Sequence, residues 1–316
     1  PKRDPFFLLQ NNNGVYTDVT ARLIPEIPGT GIINYAAWGD LDGDKKNELI
    51  LAGEWMPVTI LGWTGVQFEK RKATVLSGNR TTGLDELKGW WNTIQLFDID
   101  KDGDLDILAG NRGLNSRIKA NPEKPCTVFA KDFDGNGSYD AVLGYYIGDK
   151  CYPMYHRDQL IDQMPFIRKK FYRYHLYAGK TMEELFTPEQ QSGMDIYTNT
   201  CFESGVFLNN GKGDFQFSAF PEKAQLSTIN DILTGDWNAD GVIDLLVAGN
   251  SGDPDVSTGN YDAMAALLLL GDGKGQFKAD TRPGLNLQGE VRRLVPLGKN
   301  RILFLKNNAP AVIMGY

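Results

Sequence analysis

Four nine-residue stretches of this 316-residue chain place oxygen-bearing side chains at positions 1, 3, 5 and 9. They read Asp40-Leu-Asp42-Gly-Asp44-Lys-Lys46-Asn-Glu48, Asp98-Ile-Asp100-Lys-Asp102-Gly-Asp104-Leu-Asp106, Asp132-Phe-Asp134-Gly-Asn136-Gly-Ser138-Tyr-Asp140 and Asp236-Trp-Asn238-Ala-Asp240-Gly-Val242-Ile-Asp244. Alternate side chains of a tightly turned loop converge on one point, which is what a hard cation needs. Calcium takes about six to eight oxygens at ~2.3–2.6 Å, from carboxylates, amide and backbone carbonyls and water. Position 7 would add a backbone carbonyl, and its occupants, Lys46, Asp104, Ser138 and Val242, vary as a backbone role allows. Magnesium fits less well, because it dehydrates reluctantly and seldom uses an all-protein cage. Left bare, carboxylates packed this closely repel one another. Up to four Ca2+ ions are therefore expected, and four would move the formal charge from −7 to about +1.

The ligand charges set an expected order of affinity. The second loop has Asp at every ligand position, and the first ends in Glu48 with its Gly at position 4 rather than 6. The third and fourth each exchange one Asp for Asn. Fewer anionic ligands bind calcium more weakly, so the second loop should be tightest and the third and fourth weaker.

The elements that must hold these loops read as strands. An EF-hand would need a bidentate Glu at position 12 and flanking helices, but position 12 here is Leu51, Ala109, Leu143 or Val247. After position 9 each loop enters an apolar run closed by glycine: Leu49-Ile-Leu-Ala-Gly53, Ile107-Leu-Ala-Gly110, Ala141-Val-Leu-Gly144 and Leu245-Leu-Val-Ala-Gly249. Such runs read as buried strands. Strand-like segments also precede the loops, at 33–38, 91–97, 127–130 and 229–234. A second recurring feature is a turn between apolar stretches, at Asn13-Gly14, Asn210-Gly211 and Asp272-Gly273. These dipeptides supply the positive φ of hairpin turns, and turn chemistry accounts for them without a phosphate loop.

Composition excludes several classes. With 33 basic and 40 acidic residues and no dense basic face, nucleic-acid binding is not indicated. Only 2 histidines are present, which disfavours zinc or imidazole-base chemistry. The longest apolar run, 263–270, is far short of the roughly 20 residues a bilayer helix needs. Cys126, Cys151 and Cys201 show no CxxC spacing; one bridge at most, Cys151 to Cys201, is conceivable, and buried thiols are the plainer reading. Residues 1–5 are polar and carry no leader signature, as in a mature, trimmed or truncated chain.

The loop pattern followed by an apolar strand and Gly resembles the FG-GAP (VCBS) repeat of integrin α-subunit propellers and of many bacterial exported proteins. Further stretches resemble the bacterial VCBS-repeat proteins of the UnbV/cartilage-acidic-protein-related group: Gly89-Trp-Trp-Asn-Thr93, Gly110-Asn-Arg-Gly-Leu-Asn-Ser116, Lys131-Asp-Phe-Asp-Gly-Asn-Gly137, and Gly249-Asn250 with Thr258-Gly-Asn-Tyr-Asp262. The resemblance covers nearly the whole chain and implies an all-β fold, a β-propeller over 1–316 with calcium loops between the first two strands of a blade. About five blade-like units fit, at 34–71, 90–125, 126–220, 227–280 and 290–316. The first 20 residues resemble an outer hairpin whose inner strands lie upstream in a longer parent; the alternative pairs them with strands at 301–306 and 311–314.

One segment, 156–191, breaks the β pattern and reads as a helical insertion in the third blade, packed on the propeller. Thr181 with Glu184 forms a capping-box signature, and Phe166, Ile167, Phe171 and Tyr174 approximate one helical stripe. Arg168, Lys169, Lys170 and Arg173 form a solvated face or a basic contact surface.

Catalytic constellations are lacking. His156-Arg-Asp158 copies the letters of a kinase catalytic loop without its phosphate loop, and no Gly-x-Ser-x-Gly elbow occurs. The expectation is a non-catalytic, calcium-binding protein, exported to the cell surface, outer membrane or periplasm, that serves as an interaction, adhesion or scaffold module for a protein partner of the bacterial envelope. The alternative is a glycan-binding propeller of a surface polysaccharide-uptake system, using the rings of Trp55, Trp63, Trp90, Trp91, Tyr145, Tyr146 and Tyr152. A hydrolase or lyase is disfavoured, because calcium accounts for the well-defined acidic clusters.

Overall fold

The computed structural model describes residues 6–25, 31–252, 259–280, 285, 287–298 and 300–315; residues 1–5 and Thr258, singled out above, lie outside these. Strands β1 (Leu9–Asn12) and β2 (Val15–Asp18) form a hairpin whose turn residues Asn13 and Gly14 have φ of 55° and 89°. Among the described residues this hairpin pairs with no other strand, so the exchange with C-terminal strands is not formed. After helix α1 (Thr20–Leu23), strands β3 (Ile32–Gly39), β4 (Glu48–Met56), β5 (Thr59–Trp63) and β6 (Phe68–Lys70) make one antiparallel sheet, the unit expected at 34–71. A hairpin of β7 (Thr74–Ser77) and β8 (Arg80–Gly83) follows, then β9 (Gly89–Trp90), which pairs with the end of β4.

Strands β10 (Thr93–Phe97) and β11 (Asp106–Gly110) flank the second loop. Next come β12 (Cys126–Lys131), β13 (Asp140–Ile147) and β14 (Lys150–Pro153). Helices α2 (Arg157–Gln163), α3 (Phe166–Lys170), α4 (Tyr174–Tyr177), α5 (Met182–Leu185) and α6 (Pro188–Gln191) lead to β15 (Asp195–Asn199). The chain continues through β16 (Gly205–Asn209), β17 (Phe215–Ala219), β18 (Ile229–Gly235), β19 (Asp244–Gly249), β20 (Ala266–Gly271) and β21 (Phe277–Ala279). It ends in β22 (Glu290–Pro296), β23 (Arg301–Asn307) and β24 (Val312–Gly315).

Two compact units result, one of residues 118–201 and one of 5–117 with 202–316. In the larger unit β11 pairs with β16, Leu108 opposite Val206, so the second sheet runs β10-β11-β16-β17 and continues through β7 and β8. This corrects the blade boundaries expected at 90–125 and 126–220. A sheet extends onto whichever strand reaches its open edge, and here that strand arrives after the whole smaller unit. The departing and returning chain run side by side: Gly113 N–H donates to Phe202 O at 2.8 Å and Asn111 N–H to Ser204 Oγ at 2.9 Å.

The apolar strands are continuous because both their faces are covered. On β19, Leu245 and Val247 join Ile99, Leu108 and Val206, whereas Leu246 and Ala248 join Val291, Ile302 and Phe304. Successive residues point to opposite faces, so one strand serves two cores. The first strands of the four sheets, β3, β10, β18 and β22, are neighbours in that order. Register shifts interrupt β3 beside Asn34, β18 beside Asn230 and β22 beside Arg292. The glycines closing the apolar runs sit opposite these bulges: a Cβ on Gly53 would stand 2.0 Å from Ile32 O, and one on Gly249 1.6 Å from Thr228 O.

The smaller unit has the sheet order β14-β13-β12-β15. The five helices lie within this unit and share a core with its sheet: Phe133 and Val142 pack with Leu160, Ile167, Phe171, Met182 and Leu185. Phe133 and Phe186 stack with centroids 3.9 Å apart. The Thr181 capping box forms, its N–H donating to Glu184 Oε2 at 3.0 Å. The single stripe does not: Ile167 and Phe171 are buried while Tyr174 is exposed, since the helices are short and Pro165 and Pro188 begin new ones. Arg168, Lys169, Lys170 and Arg173 are exposed. Cys126 and Cys201 are buried thiols, and burial pushes the Cys151 thiol up to about 11. No helix among the described residues is long and apolar enough to cross a membrane.

Candidate metal centres

Each loop connects the first two strands of a hairpin: β3 to β4, β10 to β11, β12 to β13 and β18 to β19. The same backbone course recurs in all four. Positions 4 and 6 have positive φ every time: Gly43 and Lys45, Lys101 and Gly103, Gly135 and Gly137, Ala239 and Gly241. This explains why Gly can stand at either position, and places Lys45, Lys101 and Ala239 in a region that disfavours a Cβ.

Hydrogen bonds repeat with the same fidelity. The position 1 carboxylate accepts from the amide of position 6: Asp40 from Lys45 at 2.8 Å, Asp98 from Gly103 at 3.1 Å, Asp132 from Gly137 at 2.9 Å and Asp236 from Gly241 at 2.9 Å. The position 3 side chains Asp42, Asp100, Asp134 and Asn238 accept from the amide of position 5 at 3.0–3.3 Å. Position 5, which is Asp44, Asp102, Asn136 or Asp240, accepts from the amide of position 7, which is Lys46, Asp104, Ser138 or Val242. At position 9 the buried carboxylates of Glu48, Asp106, Asp140 and Asp244 accept from the amide of position 2. Three of those position 2 side chains, Leu41, Ile99 and Phe133, are themselves buried and anchor the loop to the core.

Carboxylate oxygens converge in three loops. Asp40, Asp42 and Glu48 bring ligand atoms within 4.8 Å of one another, as do Asp98, Asp100 and Asp106, and Asp132, Asp134 and Asp140. Asp44 and Asp102 stand outside these groups. In the fourth loop Asp236, Asp240 and Asp244 form no such group among the described residues; position 3 is an amide, and Asn238 Nδ2 donates to Asp240 Oδ2 at 2.8 Å. Three oxygens of hard, anionic character on a preformed loop fit Ca2+ or a similar divalent cation. At the first loop, however, Arg71 already meets that charge: Nη1 pairs with Asp42 Oδ2, and Nη2 lies 3.1 Å from Glu48 Oε1. The spacing of the loop residues gave no sign of Arg71.

Burial and mutual repulsion act on the protons here. Burial raises Asp106 from its ordinary value to about 6, against the lowering effect of N–H donors from Asn209 and Ile99. Burial likewise raises Glu48 and Asp140, and burial with neighbouring Asp102 and Asp98 raises Asp100. Asp132, wrapped by the Gly137 and Gly135 amides, is lowered.

Residues 40–109 match an FG-GAP-like repeat. The match begins at position 1 of the first loop, just after β3, and ends in β11, so it takes in β4 to β10, both of the first two loops and most of β11. No curated protein matches the chain.

Three of the loops are linked within the larger unit. Asn209 Nδ2 donates to Leu41 O at 2.6 Å and to Leu105 O at 3.1 Å, joining the first loop to the second. Lys101 Nζ donates to Gly241 O at 2.7 Å, joining the second to the fourth. The aromatic residues considered for stacking on sugars pack mostly on protein. Trp91 is fully buried, Trp90 lies 5.3 Å from both Trp55 and Phe202, and Trp63 lies 5.0 Å from Phe68. Tyr145, Tyr146 and Tyr152 are half-buried on β13 and β14.

Proposed function

We propose that this chain is a non-catalytic, calcium-stabilised interaction module whose larger unit is a four-bladed β-propeller, exported and bound to a protein partner of the bacterial envelope. The recurrence of one loop conformation and one hydrogen-bond scheme at four places carries the reading. The four sheets whose first strands neighbour one another support the blade count, with Arg293 of β22 lying 4.9 Å over the Tyr35 ring of β3 to join last to first. Residues 40–48, 98–106 and 236–244 would hold calcium beside one another, and 132–140 would hold it in the smaller unit. Ion binding there would neutralise carboxylates that now face amides and, in the first loop, the Arg71 guanidinium and the Lys46 ammonium. Loops of this kind fill where free calcium is about 10⁻⁴–10⁻³ M, as outside the cell. The resemblance to exported VCBS-repeat proteins points the same way.

The test combines calorimetric calcium titration, thermal unfolding in calcium and in chelator, and affinity capture from the native envelope fraction in both. Calcium-dependent stabilisation with a partner captured only in calcium is expected. Unchanged unfolding and unchanged capture in chelator would refute the reading.

A further inference from the structure

The bulges of β3, β18 and β22 and the residue before β10 meet at a cavity of about 360 Å³ in the larger unit, within the roughly 300–1,000 Å³ of small-molecule sites. Asn34, Asn92, Asn230 and Arg292 line it, one from each of the four sheets or the residue just before it, together with Glu54 and Arg293. The three asparagines stand at equivalent places, each six residues before position 1 of its loop. The fourth sheet has Arg292 at its bulge, so the cavity is a near-repeat of amides broken by one guanidinium.

The amide N–H groups of two asparagines are turned to the neighbouring backbone. Asn230 Nδ2 donates to Asn250 O and Val291 O, both at 2.9 Å, and Asn34 Nδ2 donates to Trp91 O at 3.4 Å. That arrangement leaves amide oxygens as acceptors. The donors are the two guanidinium groups, each paired with a carboxylate. Arg292 pairs with the buried Glu290, and Arg293 Nη1 lies 3.2 Å from Asp231 Oδ1 while its guanidinium covers Tyr35. About half of each side chain stays open, 53% for Arg292 and 47% for Arg293. A guanidinium has five donors, so one that is held by a carboxylate and half exposed keeps N–H groups for a second anion. Burial raises the Glu54 carboxyl, against the lowering effects of a hydrogen bond from the Asn34 side chain and of the Arg112 charge. The next residue, Trp55, has φ of 61° at the bulge between Glu54 and Met56, a conformation rare for a bulky side chain and concentrated at functional sites.

We propose that this cavity binds a small hydroxylated carboxylate of the uronic-acid class, its carboxylate on Arg292 and Arg293 and its hydroxyls on the asparagine amides. The site goes beyond the protein-interaction reading and does not depend on it, since none of its residues belongs to a calcium loop.

The experiment titrates the full chain, in calcium, with D-galacturonate and with neutral D-galactose by calorimetry. Saturable binding of galacturonate is expected, with galactose weaker by at least about tenfold for want of the charge-assisted pairs. Arg292→Asn, which installs the residue type of the other three sheets, should weaken galacturonate by about tenfold or more while leaving calcium binding unchanged. Arg292→Lys keeps the charge toward Glu290 but loses the fork, and should give an intermediate loss, which separates lost recognition from lost folding. Absence of saturable binding, equal affinity for the two sugars, or galacturonate binding indifferent to Arg292→Asn would each overturn the proposal.

Discussion

Asp106 closes the second loop and accepts a hydrogen bond from the backbone amide of Asn209 at 2.8 Å, a residue reached only after the whole smaller unit. Its other oxygen accepts from the Ile99 amide at 2.9 Å. The carboxylate therefore has a structural duty before any ion arrives. Asp106→Ala leaves two buried N–H groups without acceptors and should cost about 2–6 kcal/mol in chelator, at roughly 1–3 kcal/mol per orphaned group. Asp102 is exposed and accepts only from the Asp104 amide, so Asp102→Ala should cost less than about 1 kcal/mol in chelator. Both should weaken calcium binding. Urea unfolding of the two variants, with and without calcium, separates a carboxylate with a structural duty from one proposed only to face the ion.

The same burial sets a pH dependence. Asp106 has a folded-state value of about 6 against an ordinary 3.8, so its proton is held more tightly in the folded chain. In chelator its contribution to stability is fully present below the unfolded value and is lost as pH rises through about 6. Asp140 and Glu48 shift in the same direction. Calcium must displace that proton, so affinity at the second loop should fall as pH drops below about 6, with proton release on binding near pH 5.5 and little at pH 7.5. Calcium titrations in two buffers of different ionisation enthalpy read that proton directly. Equal heats in both buffers at pH 5.5 would show that Asp106 is already ionised.

The loops were legible because their chemistry is local: ligand spacing, the flanking strands and the turn glycines all lie within about a dozen residues of sequence. Strand partnership is not local. Nothing in Ile107 to Gly110 says that Val206 rather than a residue near 120 will lie beside Leu108. The smaller unit hid itself by carrying its own copy of the loop, so the repeat count ran on through it. One signal does separate the copies. Asn34, Asn92 and Asn230 precede the first, second and fourth loops by six residues, and Cys126 stands at that place before the third. The asparagines serve the meeting of first strands in the larger unit, a duty that β12 does not have.

Arg71 was not legible from the loop, and it makes the first site unlike the others. Its guanidinium bridges Asp42 and Glu48, two of the three converging carboxylates. The longer Glu48 at position 9, where the other loops have Asp, is the one sequence feature that accompanies it. A calcium ion there must displace a cation held by two carboxylates. Arg71→Met should therefore tighten binding at the first loop by about tenfold or more, or add one ion to the stoichiometry. It should also lower stability in chelator, where Asp42 and Glu48 lose their counter-charge. Calorimetric stoichiometry of the variant decides the matter, and an unchanged count with unchanged affinities would mean that Arg71 already stands aside for the ion.

The architecture of the second sheet makes a prediction about the smaller unit. Asn111 and Gly113 on the departing chain are hydrogen-bonded to Ser204 and Phe202 on the returning one, so the two breakpoints are already together. Residues 118–201 have a separate core built on Phe133, Leu160, Ile167 and Met182. Loop-closure cost grows slowly with length, so replacing 118–201 by a short Gly/Ser linker removes little that holds β11 against β16. The shortened chain should unfold cooperatively on heating, keep its near-ultraviolet signature from the buried Trp91, and lose one calcium site, that of Asp132, Asp134 and Asp140. Circular dichroism and calcium stoichiometry test this together. A shortened chain without a cooperative transition would mean that the larger unit needs the smaller one to pair its second sheet.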